Sequence, residues 1–258
     1  MSVSDVLTPN SLAGLTISSV KESPDTLNML VYGESGAGKT VLGGSADDVP
    51  EMRSVLVIDV EGGTFSLRKY HPDVHVVRVK TWTELQELYN VLYSGEHPYR
   101  TVVLDSITEI QKFSMVQIMI DLVKAEPARD PDIPSIREWG KNIEQMRRII
   151  RAFRDLPINT IFTALMKEEK DNKTGTVTRK PMLSGKLASE VAAFLDIVTY
   201  LYVKSIEKDG KIERARLLLT GATDTTIAKD RSGSLPLTLV EPTMKEIYAY
   251  AVAGKVAE

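Results

Sequence analysis

Apolar residues along this chain fall into two rhythms, short continuous runs and longer stretches with a helical period. The runs Leu27 to Tyr32, Arg53 to Val60, Val74 to Val79, Thr101 to Asp105 and Ile158 to Leu165 predict five buried strands. Between the third and fourth, "TWTELQELYNVLYSG" places Leu85, Leu88, Tyr89 and Leu92 at helical spacing and stops near Gly95. A long helix is expected from Ile107 to about Lys124, a Pro-rich loop follows as "EPARDPDIPS", and another helix runs from Glu138 to Phe153. Strands alternating with helices predict an α/β fold with a mostly parallel sheet. Later the pattern changes: "DNKTGTVT" and "EKDGK" look like hairpin turns, so an antiparallel extension is expected at one sheet edge. Residues 1–26, rich in Ser, Thr and Pro, are expected to form an arm or irregular lead-in, and residues 27–258 one domain.

Composition supports a single domain, with 258 residues, 43% hydrophobic and 26% charged. The sequence contains no cysteine and three histidines, which excludes a disulfide framework and a thiolate zinc site and fits a reducing, cytoplasmic setting. The start "MSVSDVLTPNSLAG" has no basic segment leading into an apolar one, so no signal peptide is expected. No membrane association is expected either. The most apolar window, Val191 to Val203, is shorter than the roughly 20 residues of a spanning helix and carries Asp196, so it reads as core. A net charge of −3 and a pI near 5.8 mean that nucleic acid would have to be held by a local basic patch.

The chemistry starts at "VYGESGAGKT". Gly33, Gly38, Lys39 and Thr40 match G-x-x-x-x-G-K-[ST] in full, between a strand and a helix start. Glycines in such a loop let backbone N–H groups curl around a phosphate, and the helix dipole adds positive potential there. Residues Gly33, Glu34, Ser35, Gly36, Ala37, Gly38, Lys39, Thr40 and Val41 are therefore the candidate ATP contacts. Lys39 is expected on the β- and γ-phosphates, and the Thr40 hydroxyl on Mg²⁺. A second carboxylate contact comes from "TVVLDSIT", an apolar strand ending in Asp105, the candidate metal ligand. A strand-end aspartate also commonly caps a following helix. The segment "VLVIDVEGGTF" adds Asp59 and Glu61 beyond the second strand. Glu61 is the candidate general base for an attacking water, though Glu-Gly-Gly would serve equally as a surface turn.

In order and spacing, "GESGAGKT", "VIDVEGGTF" and "VVLDSIT" resemble the core of RecA-like P-loop ATPases, and "IDVEGGTF" is similar to a segment of archaeal and eukaryotic recombinases. The helix "WGKNIEQMRRIIRAFRDLP", the segment "TGTVTRKPMLSGK" and "KDRSGSLP" look more like the compact bacteriophage members linked to single-strand annealing and recombination. The resemblance implies an Mg²⁺-dependent ATPase that forms a homo-oligomer, ring or filament, with nucleotide at subunit interfaces. It also implies single-stranded DNA as partner, with a single-strand binding protein as a further one. By the same resemblance, Lys229 and Arg231 would reach a neighbour's nucleotide, where an arginine neutralises charge developing on the γ-phosphoryl group.

The family's DNA-contacting loop falls on residues 167–186, which hold six basic residues against three acidic ones, with Lys173, Arg179 and Lys180 the candidate phosphate contacts. The loop lacks an aromatic stacking platform, so an unliganded basic hairpin is the alternative. A second basic run, Arg147, Arg148, Arg151 and Arg154, reads as a solvated helix face. Two departures stand out. Where the family places a polar γ-phosphate sensor the sequence offers Leu165 and Met166, with Thr163 or Lys167 as substitutes, and no counterpart of the family's separate helical N-terminal domain is expected. Arg68 and Tyr70 are candidate adenine contacts. Alternative readings are a nucleotide-gated module that recruits a replication protein without touching DNA, and a RecA-like helicase motor.

Overall fold

The computed structural model of the chain describes residues 11–12, 15–16, 26–208, 211–252 and 254. Ten strands form one sheet: β1 (Asn28–Gly33), β2 (Val55–Asp59), β3 (His75–Arg78), β4 (Thr101–Asp105), β5 (Asn159–Lys170), β6 (Val177–Pro181), β7 (Ile197–Lys208), β8 (Lys211–Leu219), β9 (Lys229–Asp230) and β10 (Thr238–Val240). The path across it is β10-β8-β7-β1-β5-β4-β2-β3, with β6 paired to β5 and β9 to β7. From β7 to β3 the neighbours are parallel, whereas β8, β9, β10 and β6 join antiparallel. The helices are α1 (Lys39–Gly44), α2 (Leu67–Tyr70), α3 (Trp82–Ser94), α4 (Ile107–Ala125), α5 (Ile136–Arg154), α6 (Leu187–Phe194) and α7 (Met244–Ala251). This is the RecA-like P-loop α/β fold with an antiparallel C-terminal extension.

Both faces of the parallel region are covered, which is why its strands read as unbroken apolar runs. Alternate residues serve opposite faces. Leu30, Tyr32, Ile58, Leu104 and Phe162 enter the cluster that also holds Leu85, Ile110, Ile150 and Val191 of α3, α4, α5 and α6. Met29, Val31, Val57, Val103 and Ile161 enter the other, with Leu42 of α1 and Ile247 of α7.

Several boundaries differ from the sequence pattern, each for a local reason. β5 does not stop at Leu165: from Met166 to Lys170 it pairs antiparallel with β6, so strand propensity continues beyond the parallel sheet. Its turn is the expected one, with the Asp171 carboxylate accepting from the N–H groups of Lys173 (2.7 Å) and Thr174 (3.2 Å). α5 begins at Ile136 because Ser135 and Glu138 cap it reciprocally: Arg137 N–H donates to Ser135 Oγ and Ser135 N–H to Glu138 Oε2. α6 and α7 had no separate sequence signal. The apolar window from Val191 to Val203 proves to be the end of α6 running into β7, with Val191, Leu195, Val198 and Leu201 all buried.

The arginines of α5 are only partly a solvated face. Arg147 forms a two-pronged pair with Glu190 (2.8 and 2.9 Å), and Arg151 lies 4.3 Å above the Phe194 ring, so both tie α5 to α6. The arm expected over residues 1–26 lies almost wholly outside the described residues. Within it, Ser11–Leu12 pairs antiparallel with Leu15–Thr16.

Candidate nucleotide-binding site

β1 lies between β5 and β7, and the glycine-rich loop leaves its C-terminal end to enter α1. The two glycines at its ends have different reasons to be there. A Cβ on Gly33 would fall 2.1 Å from the Leu201 carbonyl oxygen, so this glycine is required by the neighbouring strand. Gly38 has φ of 104°, left-handed backbone that a side chain disfavours. Glu34, Ser35 and Gly36 form the exposed crest, Ala37 is buried beneath it, and Val41 lies in the first helical turn. Lys39 folds back over the loop, its Nζ donating to the carbonyls of Gly33 (3.1 Å) and Glu34 (2.8 Å). Burial lowers its pKa below the usual lysine value, and the carboxylates of Asp105 and Glu61 oppose that shift.

β4 brings Asp105 next to α1. Its carboxylate, 3% exposed, accepts from Thr40 Oγ1 at Oδ2 (2.6 Å) and from Thr163 Oγ1 of β5 at Oδ1 (2.5 Å). Asp105 therefore faces Thr40 and does not cap α4. One residue on, Ser106 donates its hydroxyl to Glu61 Oε1, and the peptide bond joining Asp105 to Ser106 is cis. Glu61 itself is carried on a turn organised by Asp59. The Asp59 carboxylate accepts from the N–H groups of Gly62 (2.7 Å) and Gly63 (3.3 Å) and pairs with the Arg78 guanidinium at 2.8 Å.

Lys39, Thr40, Glu61 and Asp105 line a cavity of about 340 Å³ together with Tyr70, Ser66, Leu165 and Arg216. A larger hollow of about 660 Å³ between α4 and α5 holds none of them. A hydroxyl and a carboxylate side by side are hard oxygen donors suited to Mg²⁺, which takes one or two protein ligands and completes its shell with phosphate and water. Among the described residues no cluster of three His, Asp or Glu side chains could hold a metal alone.

Most of the remaining sequence candidates lie elsewhere. Tyr70 lines the cavity, whereas the Arg68 guanidinium sits 5.8 Å from the Phe65 ring. Of the two substitutes for the sensor, Thr163 holds Asp105 and Lys167 donates to the Leu183 carbonyl at 2.7 Å. Lys229 and Arg231 are outside this chain's cavity. Lys229 Nζ donates to the carbonyls of Ala192 and Leu195, both at 2.8 Å, and Arg231 pairs with Asp196 at 2.5 Å. In the β5–β6 hairpin, Lys173 sits at the exposed turn, but register sets Glu168 opposite Arg179, and the two pair at 3.1 Å. Lys180 pairs with Glu169. Much of the basic charge read from sequence is thus met by acids across the strand.

Sequence reasoning missed Ser106 and Arg216 as parts of the site, and it offered Thr163 as a substitute sensor without its bond to Asp105. Ser106 stood next to a flagged aspartate, but its partner Glu61 is 45 positions away. Thr163 and Arg216 come from strands whose register alone brings them in.

A glycine-rich loop leaving a central parallel strand, a buried acid on a strand two places across and a carboxylate held by the residue that follows that acid mark a P-loop ATPase. The chain belongs to the AAA_24 family, described as an AAA domain, which matches residues 25–232. No curated protein matches it. Among solved structures it is similar to the RadB recombinase, at 19% identity and TM-score 0.41, over 76% of this chain and 80% of that one. It is also similar to an ATPase of the type III secretion system of pathogenic bacteria (16%, TM-score 0.41) and to EscN of enteropathogenic E. coli (17%, TM-score 0.43). Each of these two is covered over 69% of this chain; the match spans 54% of the first and 43% of EscN. No helix among the described residues is long and apolar enough to cross a membrane.

Proposed function

We propose that this protein binds ATP with Mg²⁺ and hydrolyses it, assembles as a homo-oligomer with nucleotide at its interfaces, and acts on single-stranded DNA in bacteriophage-type recombination or annealing. It would work in the cytoplasm, that of the host if phage-encoded, with a single-strand binding protein as a further partner. The observation that carries the catalytic part is the meeting of Lys39, Thr40, Asp105 and Glu61 at one cavity, linked by the hydrogen bonds of Thr40 to Asp105 and Ser106 to Glu61.

In this reading Lys39 leaves the two loop carbonyls for the β- and γ-phosphates, so contacts with neutral acceptors are exchanged for stronger charged ones. Thr40 and Asp105 hold the cation, which when bound offsets the charge of the phosphate tail. Glu61, fixed by Ser106, orients a water and takes its proton. Lys229 and Arg231 are assigned to a neighbour's nucleotide; Arg231 is 56% exposed and its ion pair with Asp196 is open to exchange.

A second reading, the nucleotide-gated recruitment module without DNA contact, draws support from the pairing of Arg179 and Lys180 with Glu168 and Glu169. ATP turnover with and without single-stranded DNA separates the two. Stimulation by DNA, lost in Lys39→Ala, is expected. Turnover indifferent to DNA, together with no retention of DNA at low salt, would favour recruitment.

A further inference from the structure

We infer that Arg216 is a phosphate-contacting residue of the nucleotide cavity, a cation supplied by the chain to its own site. The assignment rests on the Mg²⁺–ATP reading above and adds a residue to it. Arg216 lies on β8, in the antiparallel extension, opposite Val203 of β7. Side chains alternate along β8, and Leu218, two positions on, is fully buried in the cluster that holds Leu42 of α1. Arg216 therefore projects from the face that carries the glycine-rich loop. It reaches that loop: a Cβ built on Gly38 would lie 3.3 Å from Arg216 Cδ and 3.6 Å from its Nε. The side chain lines the same cavity as Lys39, Thr40 and Asp105.

The backbone that carries it is held from both sides by one residue. Arg216 N–H donates to Glu241 Oε1 at 2.7 Å, and Glu241 N–H donates to the Arg216 carbonyl at 2.8 Å. Glu241 adopts φ of 49°, a left-handed conformation that a glutamate disfavours. The guanidinium, by contrast, is weakly engaged. Its Nε is 3.9 Å from Glu241 Oε2, and the two side chains are 40% and 55% exposed, so this ion pair holds the arginine loosely. A fixed backbone with a loosely held, always-charged fork beside a phosphate loop is the arrangement a polyphosphate tail would recruit. It also makes the site's affinity a property of one chain, whatever a neighbour adds to turnover.

The test is calorimetric titration of the full chain with Mg²⁺–ADP and Mg²⁺–ATP, for wild type, Arg216→Ala, Arg216→Lys and Glu241→Gln. Arg216→Ala should weaken both nucleotides about tenfold or more, and Arg216→Lys should recover part of that loss. Glu241→Gln, which keeps a backbone acceptor and frees the guanidinium, should bind at least as tightly as wild type. The ligand-free melting temperature of Arg216→Ala should stay near that of wild type, because the side chain is half exposed. Affinity within twofold of wild type in Arg216→Ala would overturn the assignment. So would a loss in Glu241→Gln equal to that in Arg216→Ala, which would make the arginine a structural partner of Glu241. A wild type without nucleotide affinity would instead overturn the ATP reading and this assignment with it.

Discussion

Glu61 and Asp105 differ in burial, and that difference sorts their roles. Asp105 is buried and holds two hydroxyls, which suits a fixed cation ligand. Glu61 is exposed to the cavity and takes a hydrogen bond from Ser106, so it is positioned yet accessible to water. Glu61→Gln keeps the shape and removes the base. It is expected to leave ATP affinity within severalfold of wild type while lowering turnover by about a hundredfold or more. Single-turnover hydrolysis beside equilibrium binding would show this, and undiminished turnover would make Glu61 a turn residue. Lys39, Thr40, Asp105 and Glu61 were all legible in the sequence because each lies in a short motif whose chemistry is local. Ser106 and Arg216 were not, nor was the bond of Thr163 to Asp105, because the partners are 45, many more (for the Arg216–Gly38 approach) and 58 positions away.

At the scale of elements, the parallel strands were legible for a physical reason: burial on both faces leaves uninterrupted apolar runs. α6 was hidden by the same rule. Its last residues run into β7 with Asp196 as the one polar residue at the junction, so helix and strand merged into one apolar window. The outer hairpin was visible through its turn residues, but not the cross-strand acids that neutralise it. Those depend on the pairing of Glu168 with Arg179 and of Glu169 with Thr178, next to Lys180. Gly33 shows how an element constrains a motif. It belongs to the phosphate-loop pattern, yet a methyl group there would meet the Leu201 backbone of β7. Backbone cannot swing aside as a side chain can, so Gly33→Ala should cost about 3 kcal/mol or more. Thermal unfolding of the ligand-free protein would reveal it. An unchanged melting temperature would mean that β1 and β7 can part at little cost.

On the scale of the whole molecule, the nucleotide cavity stands at the C-terminal ends of β1 and β4, and the basic hairpin extends from the same end of β5. If DNA is held by the hairpin, its acids compete with phosphate for Arg179 and Lys180. Replacing Glu168 and Glu169 together by Gln should strengthen single-stranded DNA binding severalfold. The slope of log affinity against log salt should steepen by about 1 to 1.5, as two further cations become available. An unchanged slope would take the hairpin out of DNA binding.

The account of the site rests on a magnesium–nucleotide complex occupying the cavity bounded by Lys39 and Asp105. The most direct measurement is isothermal calorimetry of the full chain with ATP in the presence of Mg²⁺. Saturable binding that weakens when Mg²⁺ is chelated and disappears in Lys39→Ala is the predicted result. Absence of heat at millimolar nucleotide, or equal binding by Lys39→Ala, would contradict it.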